Sequence, residues 1–498
     1  VSTTLRTSAL GVTAGLIGWF ILVEIVSGIL QGYYVPLFSD IVAELGIHDS
    51  DVNWFEAAQL LLSALVVPVL AKLGDMYGHK RILLIAAVLT AAATWWLAFA
   101  ASFWTFLIAW ALQGFYVVWL PLEIALIFER GRRQRHGVSL TRRAAGLLVV
   151  GLQAGAIMGA LAAGRIYAAT AGDLTVTLIV PAVAVTLIAV VIWLAVPESA
   201  PEPGRRQLDS RGFVLLAVAL LLVTSALTFL RLNGPGAVWV WGLLLAGIAG
   251  FVAFGCFELR QPDPAVDVRM LARPEMWPVQ ATAFLVGISL LGAQGPLSTY
   301  AGTDPALGYG LGLDATDRSN IIGVYLVSLI VGAVLFAVSS RRASPRIVLI
   351  AAALLVGVGY ALFLPFHREL WQVLLNLCIA GLGCGALVGA MPAAAAAAAP
   401  RGQTGVASAM TNTTKTIGGT FSSAVFGVVL AAGAGVIASE TAASLGGYLT
   451  VWAICAAGGF LAAILLFVVP RVAFADADEA TAVASSSGGD DPLAHPRA

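Results

Sequence analysis

Leu70 to Arg81 reads L-A-K-L-G-D-M-Y-G-H-K-R, a charged turn set between two long apolar runs, and its reading decides the fold. Asp75 closes the first run, Lys80 and Arg81 open the second, and Gly74 and Gly78 supply the freedom a tight turn needs. Two membrane-length runs joined by so short a link form an antiparallel helical pair. One carboxylate and two cations are thereby held at a single membrane face.

Outward from this turn the chain stays apolar. Of its 498 residues 59% are hydrophobic and 11% charged, against roughly a quarter charged in soluble domains, which defines a polytopic membrane protein. The 27 basic and 27 acidic residues cancel, so nothing points to nucleic acid. Cys256, Cys378, Cys384 and Cys455 fall in apolar runs without C-x-x-C spacing and read as small core residues, not as a metal or disulfide framework. The chain carries no P-loop, and His48, His79, His136, His367 and His495 fall in loops, helix ends or the tail. Neither an enzyme, nor ATP-driven transport, nor a cofactor is expected. Arg6 alone precedes a very long apolar segment with no clear cleavage site, which reads as a retained first helix.

Apolar segments of about 20 residues, the length that crosses a bilayer, recur fourteen times. Six fall within 1–198, two within a linker region 199–275 and six within 276–470, while 471–498 reads as a disordered cytoplasmic tail. The linker opens on P-E-S-A-P-E-P-G-R-R-Q-L-D-S-R, too rich in proline and charge to stay in lipid. The predicted fold is all-α, two six-helix bundles plus two extra central helices, with a pocket at the bilayer midplane between the bundles. With the N-terminus inside, only Arg165, Arg231, Arg318, Arg368 and Lys415 of the 27 Lys and Arg depart from the inner face. That asymmetry predicts cytoplasmic termini at both ends and a cell-membrane location.

Charged or strongly polar side chains inside a bilayer each need a reason, since one carboxylate at the centre costs about 2.5–3.5 kcal/mol on insertion scales. Glu24, Ser27, Gly28 and Gln31 make one polar stripe on the first helix, predicted to face the central cavity. A carboxyl there that alternates between wet and dry surroundings can load and release a proton; the alternative is a neutral acid bonded between helices for packing. Glu56 begins a similar stripe with Gln59 and Ser63, nearer the outer surface, where an interfacial carboxylate in water is the alternative. On the fourth helix Gln113, Tyr116, Trp119 and Glu123 bring aromatic rings beside an acid, a pairing that suits an apolar, often cationic ligand or else a membrane-interface anchor. Lys415 is a cation near the middle of the thirteenth helix, able to pair with a carboxylate in one conformation or simply to line a wet crevice.

Four runs carry a resemblance. Leu70 to Arg81 resembles the signature loop of the major facilitator superfamily, G-x-L-A-D-R-x-G-R-K, from which Ala71, Gly74, Met76 and His79 depart. The run G-V-A-S-A-M-T-N-T-T-K-T-I-G-G, Gly405 to Gly419, resembles the thirteenth-helix pattern of the fourteen-helix drug:proton antiporter branch, G-x-A-S-x-x-x-N-x-x-R-Q-x-G-G. Gly405, Ala407, Ser408, Asn412, Gly418 and Gly419 match it, while Lys415 stands for arginine and Thr416 for glutamine. Gly151, Gly155 and Gly159 match the antiporter pattern G-x-x-x-G-P-x-x-G-G, with Ala156 and Ala160 in place of the proline and the last glycine. In the fourth helix the family's R-x-x-Q-G is W-A-L-Q-G here, so Trp110 takes the arginine's place and Gln113 and Gly114 remain.

The resemblance covers Leu10 to Val469. It implies alternating access, with Gly74, Asp75, Gly78, Lys80 and Arg81 as a cytoplasmic gate whose Asp75 meets a helix N-terminus or a basic partner. It further implies proton-coupled export of a hydrophobic or amphipathic small molecule by a monomer in the lipid bilayer. Without the arginine, coupling has to rest on Glu24, Glu56, Glu123 or Lys415. Uptake or lipid movement by the same fold is one alternative reading, and a non-transporting sensor or scaffold is another.

Overall fold

The computed structural model describes residues 2–132, 137–197, 209–234, 236–261, 268–340, 342–399, 404–432 and 441–468. The predicted tail, 471–498, lies outside them.

An unpaired backbone N–H or C=O costs several kcal/mol in hydrocarbon, so a spanning segment closes its hydrogen bonds within itself as a helix. Among the described residues, fourteen helical segments are long and apolar enough to cross. The first six are α1 (Gly15–Leu45), α2 (Asp49–Tyr77), α3 (His79–Ala98), α4 (Phe103–Glu129), α5 (Ala144–Ala169) and α6 (Leu174–Ala195). Then come α7 (Ser210–Leu230) and α8 (Val238–Glu258). The last six are α9 (Trp277–Gly302), α10 (Ala315–Ser339), α11 (Pro345–Leu362), α12 (Leu370–Ala396), α13 (Met410–Ala432) and α14 (Leu445–Phe467). Side-chain caps start several of them: the Ser102, Asp173 and Asp314 side chains accept the backbone N–H of Thr105, Val176 and Asp317. Each such cap contributes about 1 kcal/mol.

Three spans are interrupted where the sequence reads as continuous. In α1 a 3-10 turn at Val35–Leu37 holds Pro36, whose missing N–H breaks the ladder. In α4 a 3-10 turn runs Gly114–Val118. The α9 span is two helices, Trp277–Leu290 and Gln294–Gly302.

The helices form two six-helix bundles. In the first, α1 packs on α5 and α3 on α6; in the second, α9 packs on α13, α10 on α12 and α11 on α14. The bundles meet along two seams, α2 against α13 and α5 against α10. The extra pair α7 and α8 lies over the first seam, where Leu216, Leu220 and Phe254 pack on Leu61 and Leu65 of α2 and Ile417 of α13. Cys256 is exposed on this pair, whereas Cys384 and Cys455 are core residues of the second bundle. Leu194, Val238, Leu245, Trp371 and Phe467 are each more than 60% exposed, an apolar surface that only lipid accommodates.

Hydrogen bonds between the bundles cluster at the end that carries the α1–α2, α5–α6, α9–α10 and α13–α14 connections. Arg318 of α10 is 4% exposed and ion-paired with Asp40 of α1, and its Nε donates to the Pro36 carbonyl at 2.9 Å. Asp49 accepts from the Ala443 N–H at 3.2 Å and the Tyr448 hydroxyl at 3.1 Å. Across the second seam the Gly164 N–H donates to Ser319 Oγ at 3.0 Å, and Arg165 to Asn320 Oδ1 at 3.1 Å. This end is pinned shut.

Candidate transport site and gates

Glu24 on α1 and Glu123 on α4, after the 3-10 turn, both have 0% exposure. The sequence stripe aims Glu24 at the central cavity; the fold instead turns it into the first bundle, where it faces Glu123. No donor group among the described residues reaches the four carboxyl oxygens, and the two carboxyls lie within hydrogen-bond reach of each other. Two ionised carboxylates are acceptors only and repel each other. One proton held between them removes the repulsion and supplies the donor.

Tyr116, on the 3-10 turn of α4, stands close enough to interact with both Glu24 and Glu56. Glu56, 8% exposed, faces Ser423 of α13 in the other bundle, and a Cβ on Gly295 of α9 would stand 3.4 Å from its carboxyl. Polar groups therefore run from Glu123 through Glu24 and Tyr116 to Glu56 at the first seam. Trp119 has 0% exposure and meets Tyr116 edge-on with ring centroids 6.3 Å apart, so this aromatic group and Glu123 belong to the interior of the bundle.

At Gln113 the side-chain N–H groups donate to the Tyr34 hydroxyl at 2.8 Å and Thr94 Oγ1 at 3.1 Å. Trp110 fills the space beside it as one ring of an aromatic cluster, 4.9 Å from Tyr34 and 5.8 Å from Phe106 between centroids. Where the antiporter pattern has a charge, this chain packs carbon. Gln31 is exposed, and Gln59 is half-buried with its backbone carbonyl accepting the Ser63 hydroxyl at 2.8 Å.

Gly151, Gly155 and Gly159 of α5 lie against the backbone of Ile21, Ile25 and Ile29 of α1. Gly28 of α1 returns the contact on Leu152 and Ala156, and a Cβ on Gly155 would fall 2.0 Å from the Ile25 carbonyl oxygen. Small residues every fourth position let the two backbones touch.

In the turn at 70–81, Gly78 has φ 102°, a conformation that a side chain strains, and it ends α2. Gly74 plays a different part from the turn residue the sequence suggests, because it lies inside the helix and leaves room for Leu122, which a Cβ would meet at 2.7 Å. Asp75 pairs with His79 Nε2 at 3.2 Å, while His79 Nδ1 lies 3.8 Å from Glu129 of α4. His79 is the first residue of α3, so this contact ties the end of α2 to the start of α3. Lys80 donates to the Trp193 carbonyl at 3.0 Å, and Arg81 is exposed.

In the second bundle, Asn412 is exposed and Lys415 half-buried on α13. Ile417, which packs on α7, marks the outward face of that helix, and helical rotation puts residues 412 and 415 on the opposite face. Lys415 has no hydrogen bond or ion pair among the described residues.

The pinning residues Asp40, Asp49 and Arg318 are absent from the sequence-derived candidates. The one available signal was Arg318, a cation on the side that the charge count leaves nearly bare.

Two six-helix bundles with broken helices and buried intramembrane carboxyls are the architecture of a polytopic membrane transporter. Residues 20–423 match the Major Facilitator Superfamily, and the chain belongs to that family. It is similar to the probable actinorhodin transporter of Streptomyces coelicolor, 26% identical over 88% of this chain and 74% of that protein. It is also similar to the probable triacylglyceride transporter of Mycobacterium leprae, 25% identical over 77% of each chain. Multidrug resistance protein 3 of Bacillus subtilis is 22% identical over 82% of this chain and 79% of that protein. Among solved structures, the peptide transporter POT in complex with sulfate superposes with a TM-score of 0.65 at 17% identity, covering 92% of this chain and 95% of that one. The nucleoside transporter NupG gives 0.59 at 14% identity, covering 92% and 98%. At these identities the structural likeness establishes the fold. The family consists of transporters, not enzymes.

Proposed function

We propose that this protein is a proton-coupled exporter of hydrophobic or amphipathic small molecules, working as a monomer in the cell membrane with both termini cytoplasmic. The carrying observation is the pair Glu24 and Glu123, fully buried, face to face and within hydrogen-bond reach of each other, with no other donor reaching them among the described residues. Such a pair is a proton store: it binds a proton when the bundle is dry and closed, and gives it up when water reaches the carboxyls. Tyr116 and Glu56 extend the route to the seam, which ties proton movement to whether the bundles are together. Similarity to an actinorhodin transporter, a triacylglyceride transporter and a multidrug resistance protein supports a bulky, largely apolar cargo.

With the termini inside, the pinned end is the outer gate, closed in this structure. An inward proton releases about 2.3 kcal/mol per 100 mV and about 1.4 kcal/mol per pH unit, enough for roughly a hundredfold gradient of cargo per charge. Uptake or lipid movement by the same architecture is the second reading. The triacylglyceride relative favours the lipid version, and with α7 and α8 over one seam a lipid would enter beside α5 and α10.

The experiment measures proton release when a lipophilic probe binds purified protein in weakly buffered solution. Wild type releases a proton on binding, and Glu24→Gln and Glu123→Gln bind without release. Release unchanged in both variants contradicts the assignment.

A further inference from the structure

Side-chain oxygens converge where α2 meets the break in α9 and the adjoining face of α13. Asn53 and Glu56 stand one turn apart on α2, at 0% and 8% exposure, and buried Ser423 of α13 lies within hydrogen-bond reach of the Glu56 carboxyl. The Asn53 amide N–H donates to the Ser50 carbonyl at 3.2 Å, which fixes the end of the amide that points away from it. That end, Oδ1, is buried and no donor among the described residues reaches it. A buried acceptor in this state has lost its hydration without replacement.

Gly295, at the start of the second α9 helix, faces both residues. The place of its missing Cβ lies 3.4 Å from Glu56 Oε2, 3.5 Å from Asn53 Oδ1 and 3.5 Å from a methyl of Val52. Outside its own helix these are the nearest atoms, and all are at ordinary contact distance. The glycine thus leaves a cradle for a single small atom against two acceptor oxygens. No basic side chain among the described residues acts on Glu56. The donors are one carboxylate and neutral oxygens, a hard set whose single charge matches a monovalent ion; calcium takes about six to eight oxygens.

We propose that Glu56, Asn53 and Ser423 hold one dehydrated sodium ion beside Gly295, across the seam between the bundles. Asn53 and Glu56 belong to the first bundle, Ser423 and Gly295 to the second, so the ion joins them. Glu56 stands about 10 Å along α2 from the pinned end, and the ion enters from that end when it opens. A proton on Glu56 removes the charge of the site, so sodium and proton exclude each other there. The site goes beyond the exporter reading, which needs only the proton.

The test is equilibrium binding of radioactive sodium to the purified full chain, with thermal unfolding in sodium, potassium and choline chloride at equal ionic strength. Wild type should take up about one sodium ion per chain, prefer it to potassium by about tenfold, and unfold at a higher midpoint in sodium than in choline. Affinity should fall about tenfold per pH unit once protons occupy Glu56. Glu56→Gln and Asn53→Leu should lose both the uptake and the sodium-dependent midpoint shift. Gly295→Ala is the sharper probe, because its methyl fits at contact distance and fills the place of the ion. It should bind no sodium and unfold in choline no lower than wild type. The wild-type salt comparison alone tests the ion if a variant does not fold. Equal midpoints in sodium and choline, absence of uptake, a preference for potassium, or uptake surviving Glu56→Gln or Gly295→Ala overturns the site, and water or a proton then fills the space. Sodium binding without proton release on probe binding overturns the exporter reading and leaves the site; proton release without sodium binding does the reverse.

Discussion

At the scale of single residues, the proposed coupling rests on carboxyls where the antiporter pattern has an arginine. Trp110 occupies the arginine position and joins an aromatic cluster, and no cation among the described residues pairs with Glu24 or Glu123. Removing either carboxyl breaks one unit, and residues that act as a unit are not additive. Glu24→Gln and Glu123→Gln should therefore each abolish gradient-driven transport, and the double variant should be no worse than either, while probe binding stays within about threefold. Transport rates that fall in multiplicative steps would show two independent sites. His79 illustrates what the loop sequence conceals. As a departure from the signature it looks like a loss, yet it lies between Asp75 and Glu129 and joins α2, α3 and α4.

At the scale of elements, α1 is held by two contrasting devices. Along α5 it is fixed by backbone contact through glycines, a permanent interface. Gly155→Leu forces the helices apart, and overpacking of this kind costs about 1–3 kcal/mol or more, read as a lowered midpoint of thermal unfolding. An unchanged midpoint would mean that the close approach is not maintained in lipid. At its far end α1 is held to α10 by Asp40 and Arg318, an interface that the proposed export requires to open. Breaking one side of a buried pair costs about 3 kcal/mol, roughly a hundredfold in the closed-to-open ratio. Asp40→Asn should thus shift spin-label distances between the α1–α2 and α9–α10 connections toward a longer population. A distribution identical to wild type would remove the pair from gating.

At the scale of the whole molecule, the number of spans, their six, two and six grouping and the hairpin at 70–81 were legible because each depends on local composition and length. The breaks in α4 and α9 were not, since Gly114–Val118 and 291–293 are as apolar as their surroundings and tertiary packing decides where the ladder opens. Glu24, Glu123 and Lys415 were legible as costly residues, but not their partners. Which acid meets which is set by helix rotation within a bundle, and one sequence does not encode it locally. The clasps of Asp40 with Arg318 and of Asp49 with Tyr448 join segments far apart in the chain, and for that reason they escaped the sequence. The placement of α7 and α8 over the α2 and α13 seam is likewise a tertiary fact. The central claim is that a proton moving inward drives cargo outward. Its most direct test is transport of a lipophilic probe in proteoliposomes of the purified protein under an imposed pH gradient. The account predicts movement against the probe's own gradient that follows the sign of the pH gradient and disappears in Glu24→Gln. Movement indifferent to the pH gradient, or undiminished in that variant, would contradict it.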